Sequence, residues 1–358
     1  MHRREFLQAL ALASISGSLA APAVAGISMP LFRLPERKHV ASLIHLTDCH
    51  AQLLPVHHRE PSINIGVGES AGRSAHLTGE ALLRHYGLRR GSRLAHAFTH
   101  LDFEVLARRY GRMGGFAHLA TLVKLIQSQR PGAILVDGGD SWQGSATALW
   151  TRGADMVAAS TLLGVKVMTG HWEFTLGAER VMELIQRDMP GSIDFIAHNV
   201  FTRDFGDRVF SPFVVREIAG MEVAIIGQAY PYTPIANPQY LIPDWTFGIH
   251  EQSLRETIEE VRKLKVAAVV LLSHNGIDVD LKLAGRVEGL TAILGGHTHD
   301  ALPKPIRVKN HGGETLVANG GSNGKFLGVL DLFASRGKTA CDYSLLPVFS
   351  NLLEPDAE

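Results

Sequence analysis

Aspartate and histidine follow apolar segments at five points of the chain. The first apolar run ends at Leu46 and leads into Asp48-Cys49-His50, and four later segments repeat this design. The ends of strands in open α/β sheets form binding crevices, so we expect these side chains to converge. Carboxylate oxygens and imidazole nitrogens are ligands for divalent cations, which predicts one polynuclear metal site. The candidate ligands are Asp48, His50, Asp140, His171, His274, His297 and His299.

Asp140 is the predicted bridge between two cations, because the preceding Gly-Gly turn lets the backbone approach closely. A cation pair about 3.5–4 Å apart clamps the attacking and leaving oxygens of a displacement and lowers the pKa of bound water to about 7. The other candidates divide into one set per cation. The first set is Asp48 and His50 with one histidine of Gly-His-Thr-His, and the second is His171 and His274 with the other.

Each segment also has an ordinary structural interpretation when it is considered alone. An aspartate after a strand often caps the following helix, and this applies to Asp137 and Asp140. A histidine such as His274 also occurs in packed cores, and His297 and His299 could be loop residues. We favour the metal site because all five segments share one design.

Alternating apolar strands and amphipathic helices would position these residues. The helix after Gly115 is predicted from the spacing of its apolar residues and ends before Pro131. A hairpin turn at Ala219-Gly220 makes the sheet mixed. Residues 55–105 form a long insertion, which we expect to cover the site; the alternative is a disordered excursion. The main strands are predicted at residues 39–47, 133–136, 165–169, 193–197, 266–272 and 289–294.

Composition excludes several classes of protein. The 358 residues carry 35 basic and 35 acidic side chains, which argues against a general nucleic-acid or anionic-membrane surface. Eighteen histidines and two cysteines favour imidazole and carboxylate ligands over thiolate. We expect Cys49 to be a buried free thiol that is not bonded to Cys341.

The N-terminus has the layout of an export signal. Arg3-Arg4 precedes an apolar run over residues 9–20, and Ala23-Val24-Ala25 resembles a cleavage site. Residues 1–25 are therefore predicted to be a twin-arginine export signal, which implies a periplasmic protein. No later stretch predicts a membrane span.

The order Asp-x-His, Gly-Gly-Asp, Gly-x-x-Glu-Phe, His-x-Gly, Gly-His-Thr-His resembles the 5′-nucleotidase branch of the calcineurin-like metallophosphoesterases. The resemblance implies an α/β fold, a four-layer α/β/β/α metallophosphoesterase sandwich with mixed sheets and two metal ions. It assigns the ligands of both ions. One ion would be held by Asp48, His50, Asp140 and His299, and the other by Asp140, His171, His274 and His297.

The chain departs from this branch at one motif. The branch has Gly-Asn-His-Glu-Phe-Asp where this chain has Gly170-His171-Trp172-Glu173-Phe174-Thr175. His171 stands where the branch has its asparagine ligand. Trp172 replaces the histidine that stabilises or protonates the phosphoryl group, and Thr175 replaces the aspartate partner of that histidine. The substitutions argue against ordinary nucleotidase catalysis.

This variant motif is similar to that of the SoxB thiosulfohydrolase family, as are residues 46–55, 59–66 and 227–237. The similarity implies two manganese ions, although the ligand types suit zinc or iron as well. It also implies a partner, the SoxYZ carrier, whose cysteine S-thiosulfonate is hydrolysed to release sulfate. Catalytic roles would then belong to Asp140, His171 and Trp172, with Trp172 walling the site or contacting the carrier arm. The substrate-binding residues are not assigned.

The same similarity predicts the domain organisation. Residues 26–338 would form the catalytic domain, and residues 339–358 would begin a linker to a C-terminal substrate domain absent from this chain. Metal binding should survive without that domain, whereas carrier recognition and turnover depend on it. The alternatives are a periplasmic 5′-nucleotidase-like phosphoesterase and a truncated metal-binding relic.

Overall fold

The structure is a computed structural model that describes residues 31–37, 40–57, 59–61, 64–335 and 338–357. The export signal predicted for residues 1–25 lies outside these residues. Within them, no helix combines the length and the apolar character that a membrane crossing requires.

Fourteen strands are found in the described residues, and twelve of them form two six-stranded mixed sheets. The strands are β1 (Val40–Leu46), β2 (Ile134–Asp137), β3 (Val165–Met168), β4 (Asp194–Phe195), β5 (Val200–Thr202), β6 (Phe213–Ile218), β7 (Met221–Gln228), β8 (Trp245–Phe247), β9 (Ala268–Ser273), β10 (Ala292–Gly295), β11 (Ile306–Asn310), β12 (Gly313–Asn319), β13 (Phe326–Ser335) and β14 (Lys338–Pro347). The first sheet has the order β14-β13-β1-β2-β3-β4, and the second has the order β11-β12-β10-β9-β7-β6. Strands β5 and β8 pair separately.

Ten α-helices occur in the same residues. They are α1 (Gly79–Tyr86), α2 (Arg93–Phe98), α3 (Phe103–Tyr110), α4 (Phe116–Gln129), α5 (Ala146–Thr151), α6 (Ala154–Leu163), α7 (Ala178–Glu183), α8 (Thr233–Ala236), α9 (Glu251–Lys263) and α10 (Ile277–Arg286). The first two lie in the long insertion predicted at residues 55–105, and α3 begins at its end; the sequence analysis assigned no helices to the insertion.

Strand β1 explains why the central strands were predictable. All seven of its residues are buried, so the strand is a continuous apolar run with few polar interruptions. It pairs in parallel with β2 and antiparallel with β13. On the second sheet, Leu254 and Ile258 of α9 share a buried core with Ile226 of β7 and Leu271 of β9. The expected mixed α/β sandwich, with helices on the outside of two sheets, is confirmed.

The predicted domain boundary at residue 338 does not coincide with a break in the fold. Residues 338–347 form β14, which pairs with β13 along its whole length, from Ser335 opposite Lys338 to Phe326 opposite Pro347. Burial is uneven along β14, because it lies at the edge of the sheet, and its polar residues obscured the strand. The sheet that carries β1 therefore extends beyond the point where we placed the linker.

The two cysteines agree with the sequence analysis. Cys49 and Cys341 are both free and buried. Burial raises the pKa of the Cys49 thiol well above its usual value and that of Cys341 to about 11.

Candidate metal centre

The predicted ligands all lie in loops that follow the carboxyl ends of strands. Asp48 and His50 follow β1, Asp140 follows β2 and His171 follows β3, all in the first sheet. His274 follows β9, and His297 and His299 follow β10, both in the second sheet. The two sheets therefore contribute to one site. Their side chains form two groups whose ligand atoms lie within 4.8 Å of one another, namely Asp140, His171, His274 and His297, and Asp48, His50, Asp140 and His299.

Asp140 belongs to both groups and is almost fully buried. Its Oδ2 atom lies 3.0 Å from Nδ1 of His171, 3.4 Å from Nε2 of His274 and 3.7 Å from Nε2 of His50. One carboxylate oxygen thus faces imidazoles of both groups, which is the arrangement that a bridging ligand requires.

Unpartnered nitrogen atoms show that these side chains suit cations. The Nδ1 atom of His274 donates to the Gly138 carbonyl at 2.7 Å, which leaves its buried Nε2 without a hydrogen-bond partner among the described residues. The buried Nε2 of His171 has no partner among them either. A second hydrogen bond that fixes the ring is typical of metal-binding histidines. Oxygen and imidazole donors without thiolate fit a hard or borderline divalent ion.

The electrostatics of the centre also favour positive charge. Burial alone lowers the pKa of His274, but Asp48 and Asp140 outweigh it and raise the value to about 9. Burial opposes ionisation of Asp48 as well, yet His274 and His299 hold the pKa of that carboxyl below its usual range. In contrast, burial and the neighbouring His274 and His171 lower the pKa of His297 to about 3, so this ring is neutral and able to donate a lone pair.

The loops that carry the ligands have unusual backbone conformations. Five of the seven residues adopt positive φ, namely Asp48 (51°), His50 (48°), Asp140 (62°), His297 (73°) and His299 (57°). Gly296 is required beside them, since a Cβ there would lie 2.3 Å from Thr47 Oγ1 and 2.6 Å from Asp48 Oδ2. His297 and His299 lie in the loop after β10, and this loop places one ring in each group.

Glu173 connects the loops after β2 and β3. Its fully buried carboxylate accepts hydrogen bonds from the backbone N–H groups of His171 (2.7 Å), Asp140 (3.2 Å), Ser141 (2.7 Å) and Trp142 (3.3 Å). The sequence analysis quoted this glutamate within a motif but gave it no role. The feature of the sequence that could have indicated its role is a single acidic residue shortly after His171, between aromatic neighbours.

Glu60 of the insertion holds the imidazole of His299. Its Oε2 lies 2.8 Å from His299 Nδ1 and accepts a further hydrogen bond from Ser322 at 3.3 Å. The His299 ring in turn approaches His50, with 2.9 Å between their Nε2 atoms. Asp48 and Glu60 raise the pKa of His299 to about 10 against the effect of burial. The insertion therefore reaches the metal centre, although sequence reasoning did not single out Glu60.

Two aromatic side chains border the second group. The backbone N–H of Trp172 donates to Asp140 Oδ1 at 3.1 Å, and its ring centroid lies 5.1 Å from that of His171. The ring of Tyr230 lies 4.0 Å from both His171 and His297. Tyr230 belongs to the string 227–237 noted in the sequence, but its place at the site was not predicted. Both rings therefore lie against imidazoles of the second group.

Comparison with known proteins agrees with this geometry. No protein-family profile matches the chain. Among curated proteins, the 5′-nucleotidase of Rattus norvegicus is 26% identical over 266 residues, covering 68% of this chain and 45% of that protein, and the Homo sapiens enzyme is 24% identical over 265 residues with the same coverage. The chain thus spans about half the length of these relatives.

Two solved structures match a larger share of the chain. The sulfate thiohydrolase SoxB of Thermus thermophilus is 36% identical with a TM-score of 0.84, covering 90% of this chain and 59% of that one. A 5′-nucleotidase precursor, also from Thermus thermophilus, is 25% identical with a TM-score of 0.66, covering 88% and 56%. Together with the two ligand groups, these relatives support metal-dependent hydrolysis with divalent cations. The chain belongs to the 5′-nucleotidase branch of the calcineurin-like metallophosphoesterases.

Proposed function

We propose that this chain is the catalytic region of a periplasmic thiosulfohydrolase, exported by the twin-arginine route, that releases sulfate from a cysteine S-thiosulfonate on the SoxYZ carrier. The observation that carries the proposal is Trp172, whose indole lies beside His171 where the resembling nucleotidases have a histidine. The similarity to a sulfate thiohydrolase over 90% of the chain supports it.

The two leaving groups differ in their need for a proton. A nucleoside leaves a phosphate ester as a strongly basic alkoxide, which needs a general acid such as histidine. A persulfide is a much weaker base and leaves as an anion. The indole of Trp172 cannot donate a proton as an acid, so its position suits the sulfur substrate better than the nucleotide.

The proposed reaction balances without a redox partner. Water adds to the sulfonate sulfur of Cys–S–S–SO₃⁻, an S–O bond forms, and the bond between the sulfane and sulfonate sulfurs breaks. The electron pair of that bond stays on the carrier as a persulfide, Cys–S–S⁻, and sulfate and two protons are released.

The residues of the site would divide this work. When bound, two divalent cations lower the pKa of water and neutralise charge on the attacked group. We propose manganese for both, with the two groups around Asp140 as ligands. Glu173 and Glu60 fix the orientation of the ligand loops, and Trp172 and Tyr230 keep water away from one face of the imidazoles.

The test compares two substrates with the full chain after export and loading with manganese. We expect sulfate release from thiosulfonated SoxYZ and little phosphate release from AMP, with Asp140→Asn as the inactive control. Faster phosphate release would instead favour the phosphoesterase function that the curated relatives suggest. Two bound metals with neither activity would identify a metal-binding relic and refute the proposal.

A further inference from the structure

A small cavity lies next to His299, on the side of the insertion. Its volume is about 60 Å³, and its polar lining includes Arg59, Glu60, Asn64, Ser322 and Lys325. One water molecule needs roughly 10–15 Å³ on this scale, so the cavity holds about four to six water-sized groups. A tetrahedral oxyanion has five heavy atoms and matches this size, whereas a nucleoside does not.

Lys325 is the most unusual residue of the lining. It is only 4% exposed, yet within the described residues its ammonium group makes no hydrogen bond and no ion pair within 4.0 Å. Burial, and then repulsion from Arg59, lowers the pKa of Lys325 to about 8 against the attraction of Glu60. A largely buried lysine that makes no hydrogen bond or ion pair is unfavourable, so this surface is suited to an incoming anion.

Arg59 also has no ion-pair partner among the described residues. Its guanidinium donates to the Ala97 carbonyl, but its buried Nε has no partner, and the described residues place no carboxylate in an ion pair with it. Arg59 and Lys325 line both this cavity and a second, smaller one, which His57 and His96 also line. Several basic groups therefore meet here.

The acidic residues of the cavity balance these cations only in part. Glu60 lies close enough to favour the charged forms of Lys325 and Arg59, but it forms no ion pair within 4.0 Å with either, and its Oε2 is already bonded to His299 and Ser322. Asp300 accepts a hydrogen bond from Asn64 at 2.8 Å. The adjoining residues at positions 58, 62 and 63 are His, Ser and Ile, which carry no carboxylate. Among the described residues, two cations therefore share one nearby carboxylate, which is itself bonded to His299.

We propose that this cavity is a binding site for one small tetrahedral oxyanion, held by Lys325 and Arg59 beside the metal centre. In the reaction proposed above, the oxyanion is sulfate, and that identification rests on the proposed function. The binding site itself rests only on the cavity and its unpaired cations, so the two can be tested separately.

The experiment is calorimetric titration of the full chain with inorganic sulfate, with chloride keeping the ionic strength constant. We expect one sulfate per chain, both in manganese-loaded and in chelator-treated protein, because the cavity does not need the cations to hold an anion. Lys325→Met should weaken binding at least tenfold, Lys325→Arg should keep it within about threefold, and the exposed Lys263→Met serves as the matched control. Replacing an unpaired buried charge by an apolar side chain of similar size should not impair folding.

A crystal of the wild-type chain soaked in selenate gives an independent readout, because the anomalous signal of selenium locates the anion. A peak in the cavity supports the proposal. A peak only at the metal centre, sulfate binding lost on chelation, or equal affinity in Lys325→Met overturns it. Sulfate binding without sulfate release from the carrier would refute the proposed function and leave the cavity assignment intact. Sulfate release from the carrier without sulfate binding in the cavity would overturn the cavity assignment and leave the proposed function intact.

Discussion

Replacing Glu173 by glutamine tests whether this carboxylate holds the ligand loops together. Oε1 accepts hydrogen bonds from Ser141 and Trp142, and Oε2 accepts them from Asp140 and His171. A glutamine side chain has only one oxygen. In either orientation of the amide, two backbone N–H groups lose their acceptor and face an NH₂ donor instead.

The magnitude follows from these four hydrogen bonds. A hydrogen bond to a charged group contributes about 1.5–3 kcal/mol, so the loss of two lowers the free energy of unfolding by about 3–6 kcal/mol. The site is fully buried, so water does not replace the lost acceptor. A typical domain is stable by only about 5–15 kcal/mol, so the variant should be close to the limit of stability.

The assay is urea unfolding of chelator-treated protein, followed by circular dichroism, for the wild type, Glu173→Gln and the exposed control Glu259→Gln. The control should stay within about 0.5 kcal/mol of the wild type. Adding manganese should then stabilise Glu173→Gln less than the wild type, because the loops of Asp140 and His171 are no longer fixed. A loss below about 1 kcal/mol for Glu173→Gln would show that the four hydrogen bonds do not organise the site.

Three further changes test other parts of the structure. Asp140→Asn should abolish binding of both cations, whereas His171→Ala should leave about one cation per chain, as measured by elemental analysis. Two cations retained in Asp140→Asn would contradict the bridging assignment. Trp172→His restores an imidazole able to protonate a leaving oxygen and should raise phosphate release from AMP about tenfold or more; an unchanged rate would count against our account of Trp172. Burial lowers the pKa of His198 from 6.5 to about 3. Between these two pH values the unfolded chain binds one more proton than the folded chain, so each unit of acidification should lower the free energy of unfolding by ~1.4 kcal/mol. His198→Gln should remove that part of the pH dependence in urea unfolding of chelator-treated protein, and an unchanged slope would place the titrating group elsewhere.

The strands around the site were predictable because their signal is local. Strands β1 and β9 are buried along their whole length, so each is a short apolar run followed closely by a candidate ligand. The ligand types then pointed to one crevice. The sequence analysis placed the first strand at residues 39–47, and β1 spans Val40–Leu46.

Other features depend on contacts that no local pattern records. Glu60 and His299 are 239 positions apart and meet only because the insertion packs against the loop after β10. Glu173 acts through backbone N–H groups, which nearly every residue type provides, so its partners leave no trace in the sequence. The edge strand β14 was missed because its more exposed polar residues make it resemble a linker.

The positive φ angles of five ligands explain why aspartate and histidine suit these positions and why the surrounding backbone must hold the loops firmly. Positive φ costs roughly 1–2 kcal/mol for a residue with a side chain, so five such ligands carry about 5–10 kcal/mol of local strain. Aspartate and histidine are among the residues that occupy this region more readily than most, so the ligand types lessen the cost themselves. The rest is opposed by backbone hydrogen bonds between neighbouring loops, from Asp48 N–H to the Gly139 carbonyl and from His50 N–H to the Asp140 carbonyl, each 2.9 Å long. The loop after β1 is thus held in its strained form by the loop after β2. Because Asp140 on the second loop belongs to both groups, it follows that the two groups of ligands form together rather than one at a time.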